Sequence, residues 1–250
     1  LNSFLKMAQE VMEGQQYDME FETQEVVTVE EYMNMIRLKT SVLFGCACEI
    51  GAILGNASVE DQKKLYDFGL YTGLAFQIMD DYLDTFGDDS FGKRIGGDIL
   101  LNKKTFLLIN AMQHANADQK ARITELFEEK NEEAKISGFQ EIFKEIGVVK
   151  IALDKMEELH DKSVEAIMSS GLSEDDKRRM IELGEIMYED NADVLNLVEG
   201  RMGLIAVLNE ECVRPKGNDV AFVSKVQAMN RDSDCLMSEK HFHDYEFGVK

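Results

Sequence analysis

Apolar residues recur along this chain at intervals of three and four, the spacing of one face of an α-helix. No alternating, strand-like stretch longer than a few residues occurs before position 200. Residues 1 to about 18 read as the tail of a helix, followed by a polar, acidic connection from Glu20 to Val27. Thr28 with Glu31 has the spacing of a capping box and predicts a long helix to Leu54, which Gly55-Asn56 ends. Ser58 with Asp61 repeats the signal and opens a helix to Phe86. A glycine-rich, charged loop is expected over 87–102, then helices over 103–115, 117–130, 137–147 and 148–170, and a last one from Ser173 and Asp176 to about Met187. The single proline, Pro215, interrupts none of them. The fold class expected is all-α, a helical bundle whose binding sites form between facing helices.

One segment stands out within that pattern. Gln77-Ile-Met-Asp80-Asp81-Tyr82-Leu83-Asp84 sets three carboxylates among apolar neighbours. On a helix Asp80 and Asp84 lie one turn apart on one face, with Gln77 one turn before Asp80. Carboxylates so close repel one another unless a cation lies between them. Mg2+ suits the position, since it takes oxygen ligands and is commonly held by one or two carboxylates together with substrate phosphates. The segment falls near a helix C-terminus, where the helix dipole disfavours acids, and a bound cation would compensate. Such a cluster alone usually marks a solvated helix end. Here Gly92-Lys93, Gly96-Gly97-Asp98 and Lys103-Lys104-Thr105 follow it. Metal-binding acids, spaced lysines and flexible glycines together suit a diphosphate.

FQIMDDYLD followed by GKRIGGDILLNKKT resembles the second aspartate-rich motif and following loop of the trans-isoprenyl diphosphate synthases, or polyprenyl synthetases. EGQQYDM (Glu13 to Met19) resembles that family's substrate-lining helix, and Ile36-Arg37-Leu38-Lys39-Thr40 its Lys-Thr element, in the family's order over about residues 1 to 186. The resemblance implies an isoprenoid-synthase-type bundle. It implies a prenyltransferase in which an allylic diphosphate ionises with the help of three Mg2+ ions, Mn2+ being an alternative, and is attacked by isopentenyl diphosphate. Asp80 is then a metal ligand, with Asp81 and Asp84 completing the inner or second shell. Lys39, Lys93 and Lys103 contact the departing diphosphate. Gln77 and Thr40 line the allylic pocket, and Gln15 and Asp18 belong to the cavity wall or to the surface. Phe76 is expected to pack, and Lys104 to face solvent. A complete bundle would be a homodimer.

Composition narrows the alternatives. A net charge of −21 argues against nucleic acid and anionic membrane surfaces as partners. No stretch approaches twenty uninterrupted apolar residues, so no membrane span or stable membrane anchor is expected, and the start has no signal-peptide pattern, which suits a cytoplasmic protein. Cys46, Cys48, Cys212 and Cys235 lack zinc-site spacing and read as reduced core thiols. The four histidines, His114, His160, His241 and His243, have no metal-ligand partners at helical spacing.

Two features depart from the family pattern. A first aspartate-rich motif, with its pair of arginines, is expected well before Leu1, and no second DDxxD occurs in these 250 residues. The chain therefore reads as the C-terminal portion of a synthase, with low or no activity alone and with apolar faces left uncovered. From Tyr188 onward the composition changes: YEDNADVLNLVEGRMGLIAVLNEECVRPKGNDVAFVSKV resembles the relay helix and loop of a myosin motor domain, yet no GxxxxGK[ST] phosphate loop is present. Two units are thus expected, 1–187 and 188–250, joined in nature or in a gene model. The competing readings are a terpene cyclase or noncatalytic relative on the same bundle, and a motor fragment. The lysine-rich loop after the aspartates favours the synthase.

Overall fold

Three of the expected helix starts are closed by the side chains that announced them. The computed structural model describes residues 1–87 and 95–188. Helix α1 spans Asn2–Thr23 and α2 Val29–Ile36. Thr28 caps α2 by accepting the Glu31 N–H, and Glu31 returns to the Thr28 N–H, so both halves of the box form. Ser58 caps α4 (Val59–Phe86) in the same way, but Asp61 does not return. Its carboxylate instead accepts the Gly171 N–H at 2.6 Å and ties the start of α4 to the turn before α10 (Glu174–Tyr188). Ser173 caps α10.

The long helix expected to Leu54 runs unbroken from Val29, but not as a regular α-helix throughout. After α2 the chain widens into a π turn, Arg37–Ser41, before resuming as α3, Val42–Leu54. The Val42 N–H reaches back to the Arg37 carbonyl, and the Ser41 hydroxyl to that of Ile36 at 3.3 Å. Close packing on both flanks explains the widening. Gly14 of α1 lies so near that a Cβ there would overlap the Lys39 backbone nitrogen and come within 2.7 Å of the Leu38 carbonyl carbon. On the other side a Cβ on Gly73 of α4 would lie 2.8 Å from Ser41 Cα. Two glycines let two helices press the turn from opposite sides. Such wide turns occur mostly as single-turn bulges, often at functional sites.

The remaining elements are α5 (Gly97–Leu100), α6 (Phe106–His114), α7 (Ala117–Glu128), α8 (Glu132–Ile146) and α9 (Val148–Met168). Helix α5 lies inside the expected loop. Helix α6 starts three residues later than expected because Thr105 is its cap, and α8 five residues earlier because Asn131 caps it through the Ala134 N–H. Helix α4, 28 residues and so roughly 42 Å long, is the central strut, packed against α3 and α9 along its length. Its main core stripe, Leu74, Ile78 and their neighbours, meets Ile36, Leu107, Ile142 and Met156. Among the described residues there is no strand, and no helix is long and apolar enough to cross a membrane. Cys46 and Cys48 are buried, while Cys212, Cys235 and the relay-like segment lie outside the described residues.

Candidate active site

The π turn and the C-terminal half of α4 bring the sequence motifs together. The Thr40 hydroxyl donates to Gln77 Oε1 at 3.0 Å, and Gln77 Nε2 donates to Asp80 Oδ2 at 3.3 Å. A line of oriented groups thus runs from the π turn to the first aspartate. One turn further, Asp84 Oδ2 accepts the Asp98 N–H at 3.0 Å and the Asp84 carbonyl accepts the Gly96 N–H at 2.6 Å. The Gly96-Gly97-Asp98 segment is thereby folded back over the acidic run. A Cβ on Gly97 would lie 3.2 Å from Asp84 Oδ1, so the glycine leaves that oxygen a small open cradle. Burial, with Asp98 and Asp80 nearby, raises Asp84 above the usual carboxylate range, although the Asp98 N–H pulls it back.

Asp81 departs from its expected role. It is 2% exposed, and its Oδ2 accepts the Tyr32 hydroxyl at 2.5 Å and the Phe106 N–H at 2.8 Å. The carboxylate is buried in the core, where it caps the start of α6 while staying within electrostatic reach of Asp98 and Lys103. Both of its described hydrogen bonds serve the fold, a packing role where the motif led one to expect a metal ligand. Burial pushes it up to about 7 despite both hydrogen bonds, and the same burial beside a carboxylate raises Tyr32. Helical spacing holds the signal for this: Leu74, Ile78, Asp81 and Thr85 form one stripe, and all four are buried.

The lysines are held by acids from other elements. Lys39 Nζ lies 2.5 Å from Asp18 Oδ2 on α1. Lys103 Nζ lies 3.3 Å from Asp98 Oδ1. Burial alone would lower Lys103, but Asp98, Asp81 and Asp18 outweigh it and raise its affinity for its proton. Asp98 is the participant that sequence reading passed over, and its place in GGD directly before the lysine pair was the available clue. Lys104 does not face solvent as expected. Its ammonium donates to the Phe21 carbonyl at 2.6 Å and secures the end of α1. Gln15 is exposed on α1, Phe76 packs against Phe44 with ring centroids 5.7 Å apart, and Gly92 and Lys93 lie outside the described residues.

Asp80 and Asp84, one helical turn apart, offer the hard oxygen donors that could hold Mg2+ together with substrate phosphates. They do not form a closed protein cage, and among the described residues no three acid, histidine or cysteine side chains converge on one point.

Residues 1–146 match the family model for polyprenyl synthetase. The chain belongs to the polyprenyl synthetase family. It is 42% identical over 127 residues to the short chain isoprenyl diphosphate synthase of Methanocaldococcus jannaschii, a match covering 50% of this chain and 38% of that protein. It is 42% identical over 118 residues to the geranylgeranyl diphosphate synthase of Saccharolobus solfataricus, covering 47% and 36%. Among solved structures, a geranylgeranyl pyrophosphate synthase superposes with a TM-score of 0.71 at 39% identity, covering 75% of this chain and 59% of that one. The geranylgeranyl pyrophosphate synthetase from Pyrococcus horikoshii gives 0.70 at 32% identity, covering 76% and 58%. The polyprenyl synthetase chain spans well under half the length of these two curated relatives.

Proposed function

We propose that this chain carries the diphosphate-departure side of a Mg2+-dependent prenyltransferase that condenses an allylic diphosphate with isopentenyl diphosphate. The convergence of Asp80 and Asp84 with Gln77, Thr40, Lys39 and Lys103 across three elements carries this reading. Asp80 and Asp84 would hold the metal, which when bound neutralises charge on the diphosphate oxygens. Lys39 and Lys103 supply fixed positive charge where the leaving group gathers electrons as its C–O bond breaks. Lys93 is assigned the same role from its place in the motif. Gln77 and Thr40, each fixed by the other, direct oxygen atoms towards the allylic carbons as positive charge develops there. The double bond of isopentenyl diphosphate then forms the new C–C bond, and loss of a proton restores an alkene five carbons longer. Asp18 steadies Lys39, whereas Gln15, exposed on α1, has no assigned part in the chemistry.

Calorimetric titration of inorganic pyrophosphate with Mg2+ present tests the site directly. Asp80→Asn should weaken the metal-dependent affinity by about tenfold or more, the loss expected when a hydrogen-bonded carboxylate ligand is removed from a metal site. An unchanged affinity would exclude Asp80 as a ligand. These 250 residues contain one aspartate-rich motif, so turnover of allylic and isopentenyl diphosphates by the chain alone should be low. Product formation at the rate of a full-length relative would refute that expectation.

A further inference from the structure

Helix α8 supports the end of α4 that carries Asp84. The last carbonyls of a helix lack partners within it, and those of α4 are met from several directions. Leu83 accepts the Gly87 N–H at 2.8 Å, Asp84 the Gly96 N–H at 2.6 Å, and Thr85 the side-chain amide of Gln140 at 2.6 Å. Gln140 lies on α8, 55 residues further along the chain. One turn before it on the same face, Ile136 rests on Gly96, where an added Cβ would come within 2.5 Å of Ile136 Cγ1. One turn after it, the Lys144 ammonium stands 5.2 Å from the centre of the Phe86 ring. One face of α8 thus touches both the residue that follows Asp84 and the residue whose N–H binds the Asp84 carbonyl.

The hold of α8 on the core comes from other residues, Phe139, Ile142 and Phe143, all fully buried. Gln140 is only partly buried, so its amide adds little to that packing. Its effect lies at the end of α4. Asp84 Oδ2 is occupied by the Asp98 N–H, and Oδ1 faces the cradle that Gly97 leaves open. Where Oδ1 sits depends on the backbone of a terminal turn, the part of a helix most prone to fray. Building on the proposed function, we infer that Gln140 is a positioning residue for the Asp84 carboxylate. By donating to the Thr85 carbonyl it keeps the last turn of α4 wound and Oδ1 in its open cradle. It acts through the α4 backbone and not by contact with metal or diphosphate.

The test is calorimetric titration of the full chain with inorganic pyrophosphate in the presence of Mg2+, with urea unfolding of each variant alongside. Gln140→Met removes the donor and nearly keeps the length of the side chain. It should weaken the metal-dependent affinity by about three- to tenfold, below the tenfold or more expected of Asp84→Asn because Gln140 acts at one remove. Lys135→Met is the control. It removes a donor on the same helix from the Phe127 carbonyl, 3.1 Å away near the end of α7, and should leave the affinity unchanged at a similar cost in stability. In the Asp84→Asn background Gln140→Met should cause no further loss, which separates action through Asp84 from a general loosening of the fold. Gln140→Ala removes the same donor in a smaller side chain and repeats the comparison should the methionine variant not fold. An affinity for the Gln140 variants equal to that of the parent or of Lys135→Met overturns the inference, as does an equal loss with and without the Asp84 carboxylate. If the parent does not bind pyrophosphate with Mg2+, or if Asp84→Asn leaves its affinity unchanged, the functional reading itself fails and the inference falls with it.

Discussion

Replacing Tyr32 with Phe should separate the stability of this fold from its ligand chemistry. The substitution removes one oxygen and leaves the ring, so it opens no large cavity in a position that is 2% exposed. What it removes is the 2.5 Å hydrogen bond to Asp81, leaving that buried carboxylate with only the Phe106 N–H. A hydrogen bond to a charged group is worth about 1.5–3 kcal/mol and a neutral one about 1 kcal/mol. Asp81 titrates at about 7 in the fold against an ordinary value of 3.8. Between those values the folded chain holds a proton that the unfolded chain has released. Stability therefore falls as pH rises through that window, by about 4 kcal/mol at most, and levels off above it. The cost of Tyr32→Phe follows the charge on Asp81, about 1 kcal/mol near pH 5.5 and about 2–3 kcal/mol near pH 8. Urea unfolding followed by far-UV circular dichroism, with chelator present, measures both. A cost below about 0.5 kcal/mol at both pH values, or a larger cost in acid, would refute the placement of Asp81 as a buried, partly charged acid.

Further outcomes follow from other close contacts. Gly14→Ala should destabilise the chain by about 1–3 kcal/mol by overpacking against the π turn, and should also weaken magnesium-dependent pyrophosphate binding because Lys39 and Thr40 ride on that turn; unfolding and calorimetry on one preparation check both. Lys135 is buried, with its ammonium 3.1 Å from the Phe127 carbonyl in the last turn of α7. Lys135→Met should cost about 1–2 kcal/mol in urea unfolding without altering pyrophosphate affinity. Leu5, Met12 and Met19, seven residues apart on α1, are all exposed. A dye that fluoresces on apolar surfaces should bind there, and Leu5→Glu with Met12→Glu should reduce its signal without loss of helicity.

Local signals made much of this fold legible. Thr28, Ser58 and Ser173 announce helix starts because a hydroxyl placed three residues before an acid can satisfy free N–H groups within one turn. The Asp80 and Asp84 face is equally local, as is its link to Gln77. The π turn was not legible, because the glycines that admit it lie at positions 14 and 73, on helices far from it in sequence. Asp81 was misread for a different reason. A shared DDxxD motif suggests a shared role, yet adjacent helical residues point about 100° apart. That rotation carries Asp81 onto the Leu74 and Ile78 stripe. Asp98 becomes visible only when the loop after α4 folds back, a long-range event that no spacing rule reports.

An extra residue in a helix ordinarily swings everything downstream by about 100° and would scramble the packing of α3. The widened segment at Arg37–Ser41 absorbs such an extra residue locally. Its neighbours before and after can therefore keep their own faces against the core while Lys39 and Thr40 are displayed at an angle regular winding does not offer. Removing a single residue there would leave α2 and α3 individually intact yet aim this pair elsewhere. The length of five residues, more than their chemistry, decides what the basic arm can reach.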